Sequence, residues 1–137
     1  VPFVALVEPL SEYLRKHGFS VETIHGGTSK ADRDMTFSAF QKMKDPQVLV
    51  AIPHAMSHGI SLTSASTIVW AAPITSNDVF DQANHRIQRP GQKLNQLIVM
   101  IEGSPIERKY YQRLKEKGRV QGILLDLVQA SRKEANV

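Results

Sequence analysis

Cysteine is absent from the 137 residues, which excludes disulfide staples and thiolate metal ligands. No apolar run approaches the about 20 residues that a membrane-spanning helix needs. The chain opens at Val1 on an apolar run with no charged, cleavable leader, as a segment cut from a longer protein would. No Gly-x-Gly-x-x-Gly follows a strand-like run, which argues against a dinucleotide fold. No Gly-x-x-x-x-Gly-Lys-Ser/Thr occurs either, so the chain lacks a phosphate-cradling P-loop; "GGTSK" carries similar letters in the wrong order. No Asp-Glu dipeptide is present.

What is present suits one domain with a real core. The formal charge is +4. Residues 1–103 hold nine charges of each sign, whereas residues 104–137 hold eight basic against four acidic. A basic tail points to nucleic acid as a partner; solvated helix surface explains it equally well.

Apolar runs rich in β-branched residues recur at "PFVALV", "VETIH", "QVLVAI", "STIVWAA" and "NQLIVMI". Such runs suit strands buried on both faces, as in a parallel sheet. Helical patterns lie between them. "PLSEYLRKHG" puts Leu10, Tyr13 and Leu14 on one face and stops at Gly18. Ser29 followed by Asp32 is a capping signal, with Phe37, Phe40 and Met43 as the stripe behind it. A third helix is expected from Ser76 to about Gln88, and a fourth from Ser104, with a break at Gly118 or Gly122. Alternation of this kind predicts right-handed βαβ crossovers and an α/β fold with helices on both faces of a parallel sheet. The strand order cannot be read from the pattern.

Ligands of such sheets bind beyond the carboxyl ends of the strands. The loops "HGGTSK", "PHAMSHGISLT", "APITSN" and "EGSP" are therefore the ones to inspect. The stretch "FDQANHRIQRPGQ" is more telling. Val79, Phe80, Ala83 and Ile87 form a stripe for the core, and Gln82, Arg86 and Arg89, spaced four and three, share its margin. Pro90 disfavours helical geometry at Arg89, which frees that guanidinium. One reading is a helix with cations at its C-terminus, worth a few tenths of a kcal/mol each, on the order of 0.3. The other is a pair of arginines aimed at phosphate, for which planar, permanently charged guanidinium groups are suited.

"HGISLTSASTIVWAAP" followed by "DQANHRIQRPGQ" resembles motifs V and VI of superfamily 2 helicase-like ATPases. The resemblance is closest to Swi/Snf-type DNA translocases, especially compact forms from phage and bacterial mobile elements. Motif VI reads Gln-Ala-x-x-Arg-x-x-Arg-x-Gly-Gln in that family, and Gln82-Ala83, Arg86, Arg89 and Gly91-Gln92 match it throughout. Motif V is usually Gly-Gly-x-Gly-x-Asn-Leu. Here Gly59 and Leu62 match, Met56 and Ser57 replace the first glycines, and Ser61 replaces the asparagine. "VETIHGGTSKADRDMTFSAF" is similar to the strand, loop and helix after motif IV, with Gly26 as the usual glycine.

The resemblance implies the second RecA-like domain of a two-domain motor. Its partner domain would carry the P-loop lysine, the acidic pair that binds Mg²⁺ and most ATP contacts. Arg89 would be the arginine finger on the γ-phosphate, Arg86 would stabilise charge beside it, and Gln82 would position phosphate or the attacking water. Gly59 and Ser61 would approach the nucleotide. Double-stranded DNA would run along Gly26, Gly27, Thr28, Ser29, Lys30 and Arg33, with His54 and His58 also near its backbone. Such phosphate contacts imply tracking rather than base reading. A cytoplasmic, nucleic-acid-associated location is expected.

Rival readings have distinct signatures. His54 and His58 stand at i and i+4, yet the glutamate of a zinc protease helix is missing, so no metal site is expected. Trp70 reads as core or cleft wall rather than a stacking platform. A stand-alone nucleotide-binding α/β enzyme domain would need a complete phosphate loop of its own. In a non-catalytic nucleic-acid-binding domain the two arginines would be dispensable for ATP hydrolysis.

Overall fold

The computed structural model describes residues 1–56, 60–116 and 129–131. A short 3-10 turn at Val4–Leu6 leads into α1 (Val7–Lys16), followed by β1 (Val21–Ile24), α2 (Lys30–Met43) and β2 (Val48–Ala51). After a second 3-10 turn at Pro53–Met56 come β3 (Thr67–Trp70), α3 (Asn77–Asn84), β4 (Leu97–Met100) and α4 (Pro105–Lys115). Four of the five expected strand runs are strands. The first, "PFVALV", is not. Val7, Leu10, Ser11 and Leu14 recur at helical spacing, and Val7 and Ser11 are buried while Leu10 and Leu14 pack against the same core. That phase draws the end of the apolar run into α1.

The strands form two parallel pairs. β1 pairs with β2, with Val21 opposite Val48, and β3 pairs with β4, with Thr67 opposite Leu97. The two pairs are not hydrogen-bonded to one another. Each has its own core. Val7, Ile24, Phe37, Val50, Leu62 and Ile87 are buried around the first pair. Trp70, Ile74, Phe80, Tyr111 and Leu114 pack around the second. Ile68 packs against both clusters.

Local chemistry sets the helix ends. Ser29, Ser76 and Ser104 cap α2, α3 and α4 by accepting from the backbone N–H three residues on, which satisfies amides the helix itself leaves unpaired. Gly18 has φ of +88° and stops α1. Its N–H donates to the Arg15 carbonyl and that of Phe19 to Leu14, the double closure that a left-handed residue permits. Tyr13 and Met43, expected on buried stripes, are instead 59% and 73% exposed.

The third helix ends at Asn84, short of the expected Gln88. Ile87 is nonetheless buried, because the chain turns inward after Asn84 and is held there by bonds from outside the helix. Arg86 and Arg89 thus lie in turns beyond α3 rather than on a helical stripe with Gln82. Gly118, Gly122 and most of the basic tail lie outside the described residues. Among the described residues no helix is long and apolar enough to cross a membrane.

Candidate nucleotide and nucleic-acid site

All four inspected loops follow the carboxyl ends of strands. One of them, "PHAMSHGISLT", meets the turns after α3. The Leu62 N–H donates to the Arg86 carbonyl at 2.9 Å, and Arg86 Nη1 donates to the Ile60 carbonyl at 3.3 Å. Gln92 closes the same corner, its Nε2 donating to the carbonyls of Ala65 at 2.7 Å and Ile87 at 3.0 Å. Pro90 and Gly91 form the middle of a turn closed by Gln92 N–H to the Arg89 carbonyl, with φ of +97° at Gly91. Proline followed by glycine at positive φ is what such a turn favours.

Arg86 is buried to 5% exposure. Its Nε is buried with no acceptor. Burial lowers the pKa of its guanidinium, and the neighbouring charge of Arg89 lowers it further. Arg89 itself is half-buried. Among the described residues neither guanidinium has a carboxylate partner. Two cations held together in this way form a site short of negative charge. Gln82 is exposed on α3, and Ser61 is exposed beside Leu62, which the Arg86 carbonyl anchors. Gly59 and His58 lie outside the described residues.

The second group of expected residues surrounds the end of β1. His25 to Thr28 form a tight turn in which Thr28 N–H donates to the His25 carbonyl. The hydroxyl of Thr28 accepts from His25 N–H at 3.1 Å. A Cβ at Gly27 would meet the His25 ring at 3.1 Å, so a side chain there would have to displace that ring by a few tenths of an ångström. Gly26 and Lys30 are exposed, and the Ser29 hydroxyl is engaged as a cap and with Asp32. Arg33 turns inward, with Nη2 on the Thr28 carbonyl at 3.2 Å and Nη1 close to that of Ala55 at 3.4 Å. It is a strut between this turn and the Pro53–Met56 turn, which carries exposed His54, rather than a free cation reaching outward.

Sequence reasoning assigned no role to Gln41, Asn84 or Gln92. Gln41 holds the loop after Leu62, donating to the Thr63 hydroxyl and accepting from Ser64 N–H. Asn84 accepts from the indole N–H of Trp70 at 3.0 Å, which makes Trp70 core. Only Gln92 carried a signal, as the last residue of the eleven-residue pattern.

Residues 1–92 match the helicase conserved C-terminal domain. The chain belongs to that family. The chromatin-remodeling ATPase INO80 of Emericella nidulans is 27% identical to this helicase C-terminal domain over 121 residues, 88% of the chain. The DNA excision repair protein ERCC-6-like of Bos taurus is 30% identical over 106 residues, 76% of the chain. The chain spans 8% of the length of each of these relatives. The crystal structure of the C-terminal part of the Fun30 ATPase domain superposes with a TM-score of 0.73 at 24% identity, covering 81% of this chain and 36% of that one. The C-terminal domain of S. cerevisiae Dbp5 gives 0.68 at 15% identity, covering 88% and 71%. These structures show the same α/β, RecA-like fold.

Proposed function

We propose that this helicase C-terminal domain is the second RecA-like half of a Swi/Snf-type, DNA-dependent ATPase, a compact translocase akin to phage and bacterial mobile-element forms. The observation that carries the reading is the buried Arg86, whose Nε lacks an acceptor beside a second guanidinium. A γ-phosphate presented by the partner domain would supply the missing acceptor and the missing negative charge. Arg89, less buried and at the edge of the proline-glycine turn, is the finger that meets transition-state charge. Arg86 stabilises that charge from behind. Gln82 orients phosphate or water, and Ser61 and Gly59 approach the nucleotide. Such preorganised donors contribute about 10³–10⁵ in rate.

ATP is the substrate in this reading, and the chain's donors fit its terminal phosphate. Mg²⁺ in this reading is held by the acidic pair of the partner domain. Double-stranded DNA runs along the turn after β1, through the amides of Gly26 and Gly27, the Thr28 and Ser29 hydroxyls, and Lys30, with His54 and His58 adjacent. Arg33 serves by holding the turn in shape.

The test is single-turnover ATP hydrolysis by the intact protein and its Arg89→Lys variant. Lysine keeps the charge and loses the planar fork, so a fall of about 10³-fold or more is expected. A variant that retains most of the rate refutes the finger assignment. The isolated chain, lacking a P-loop, is expected to hydrolyse no ATP.

A further inference from the structure

A β-turn at Leu62–Ala65 joins α2 to the segment that carries the two arginines. It is closed by the Ala65 N–H donating to the Leu62 carbonyl at 3.0 Å. Its two ends belong to the arginine segment. The Leu62 N–H donates to the Arg86 carbonyl at 2.9 Å, and the Ala65 carbonyl accepts from Gln92 Nε2 at 2.7 Å. Its two middle residues belong to α2. Gln41 Nε2 donates to the Thr63 hydroxyl at 2.7 Å, Gln41 Oε1 accepts from the Ser64 N–H at 3.1 Å, and the Ser64 hydroxyl donates to the Phe40 carbonyl at 3.2 Å. We propose that Gln41 is a positioning residue for the arginine pair, fixing where Arg86 and Arg89 stand by locking this turn to α2.

The inference rests on the reading of Arg86 and Arg89 as phosphate donors. Neither arginine lies in a helix or strand, so no regular ladder of backbone bonds sets its place. Ile87, buried in the first cluster, anchors the segment at one point. A segment held at one point can still pivot. The bonds to Leu62 and Ala65 stop that motion only if the β-turn is itself immobile. Packing secures the turn at one side chain, Leu62; Thr63, Ser64 and Ala65 are half-buried. The rest of its hold comes from α2.

That helix is a firm reference. Its 14 residues span about 21 Å, with Phe37 buried in the first cluster and Phe40 packed against it. Glutamine suits the joint because one planar amide offers a donor and an acceptor together, which fixes both the distance and the rotation of the turn. Gln41 is half-buried, so water competes less for these bonds than at an open surface. The sensitivity expected of such a joint is high. A misplacement of about 1 Å in a group that meets the reacting atoms costs on the order of 10²-fold in rate, even when the substitution lies far from the chemistry.

Single-turnover ATP hydrolysis by the intact protein tests the proposal, with Gln41→Leu, Gln41→Glu, Arg89→Lys and the double variant Gln41→Leu/Arg89→Lys measured beside wild type. Gln41→Leu keeps the bulk and loses both amide bonds. Its rate at saturating ATP is expected to fall about 10- to 100-fold, with the half-saturating ATP concentration unchanged, because the partner domain makes most of the nucleotide contacts in this reading. Gln41→Glu is expected to recover most of the rate, since a carboxylate can accept from both the Ser64 N–H and the Thr63 hydroxyl. In the Arg89→Lys background the leucine substitution should cost far less than it does alone, because Gln41 acts through the arginines. A Gln41→Leu variant with the wild-type rate overturns the proposal. So does an equal loss in Gln41→Leu and Gln41→Glu, or a loss that adds in full to that of Arg89→Lys; either would make Gln41 an ordinary structural tether. Retention of the rate by Arg89→Lys defeats the arginine reading itself and leaves Gln41 no pair to position.

Discussion

Replacing Arg86 by methionine is expected to leave the fold about as stable as before while removing ATP hydrolysis by the intact protein. The bond that is lost joins a charged donor to the Ile60 carbonyl at 3.3 Å. Bonds from charged groups are worth about 1.5–3 kcal/mol, and this long one belongs at the lower end. Ile60 is half-buried, so water can take over its carbonyl. Against that loss stand the buried Nε without an acceptor, a penalty of about 1–3 kcal/mol or more, and repulsion from Arg89. Methionine fills much of the same space with a flexible apolar chain. The two sides cancel to within about 1 kcal/mol, or roughly 3–6 °C in Tm for a domain of this size. Urea and thermal unfolding of wild type and variant should agree within that margin, while the single-turnover rate falls by about 10³-fold. A destabilisation above about 3 kcal/mol would refute the reasoning. Arg86 would then be a strut for the Ile60 carbonyl and not a charge held ready for phosphate.

Duplex DNA binding by the chain is expected to lack sequence preference and to weaken with salt, with a log–log slope of roughly −3 to −4 for three or four neutralised phosphates. Lys30→Ala should reduce that slope by about one unit, measured by fluorescence anisotropy; Arg33→Ala should instead loosen the turn it braces and lower thermal stability. Truncation after residue 118 that eliminates binding while Lys30→Ala leaves the slope unchanged would move the contact to the tail. Tyr111, buried and close to Glu107 and Glu102, has its pKa pushed up to about 12. The folded state therefore holds this proton more tightly than the unfolded chain. Stability that is complete below about pH 10 should be lost as pH rises toward 12. In Tyr111→Phe the alkaline decline of Tm should be shallower, and an unchanged decline would count against the burial argument.

Local signals were legible wherever a few neighbouring residues decide the outcome. Ser29, Ser76 and Ser104 each cap a helix from within four residues, and Gly18 ends one by its own backbone freedom. Periodicity correctly placed Ile87 in the core, yet it carried the helix too far. The end of α3 is set by Leu62 and Gln92 bonding across the fold. The burial of Arg86 depends on a carbonyl 26 residues away, and nothing at positions 82–92 announces it. The motif VI letters pointed to the two arginines; they could not show that one is enclosed and the other half-open. Strand pairing is equally non-local, which is why the four strand runs were visible and their separation into two pairs was not.

Trp70 is the only tryptophan in the chain, and it sits wholly within the second cluster. It packs on Phe80 with ring centroids 4.8 Å apart, bonds Asn84, and lends its carbonyl to the Tyr111 hydroxyl. Its emission therefore reports on β3, α3 and α4 and is blind to β1, β2 and the first cluster. Far-ultraviolet circular dichroism sees both halves. Coincidence of the two signals during unfolding would show that the halves melt together, whereas a fluorescence transition displaced from the dichroism one would reveal two cooperative units within one small domain.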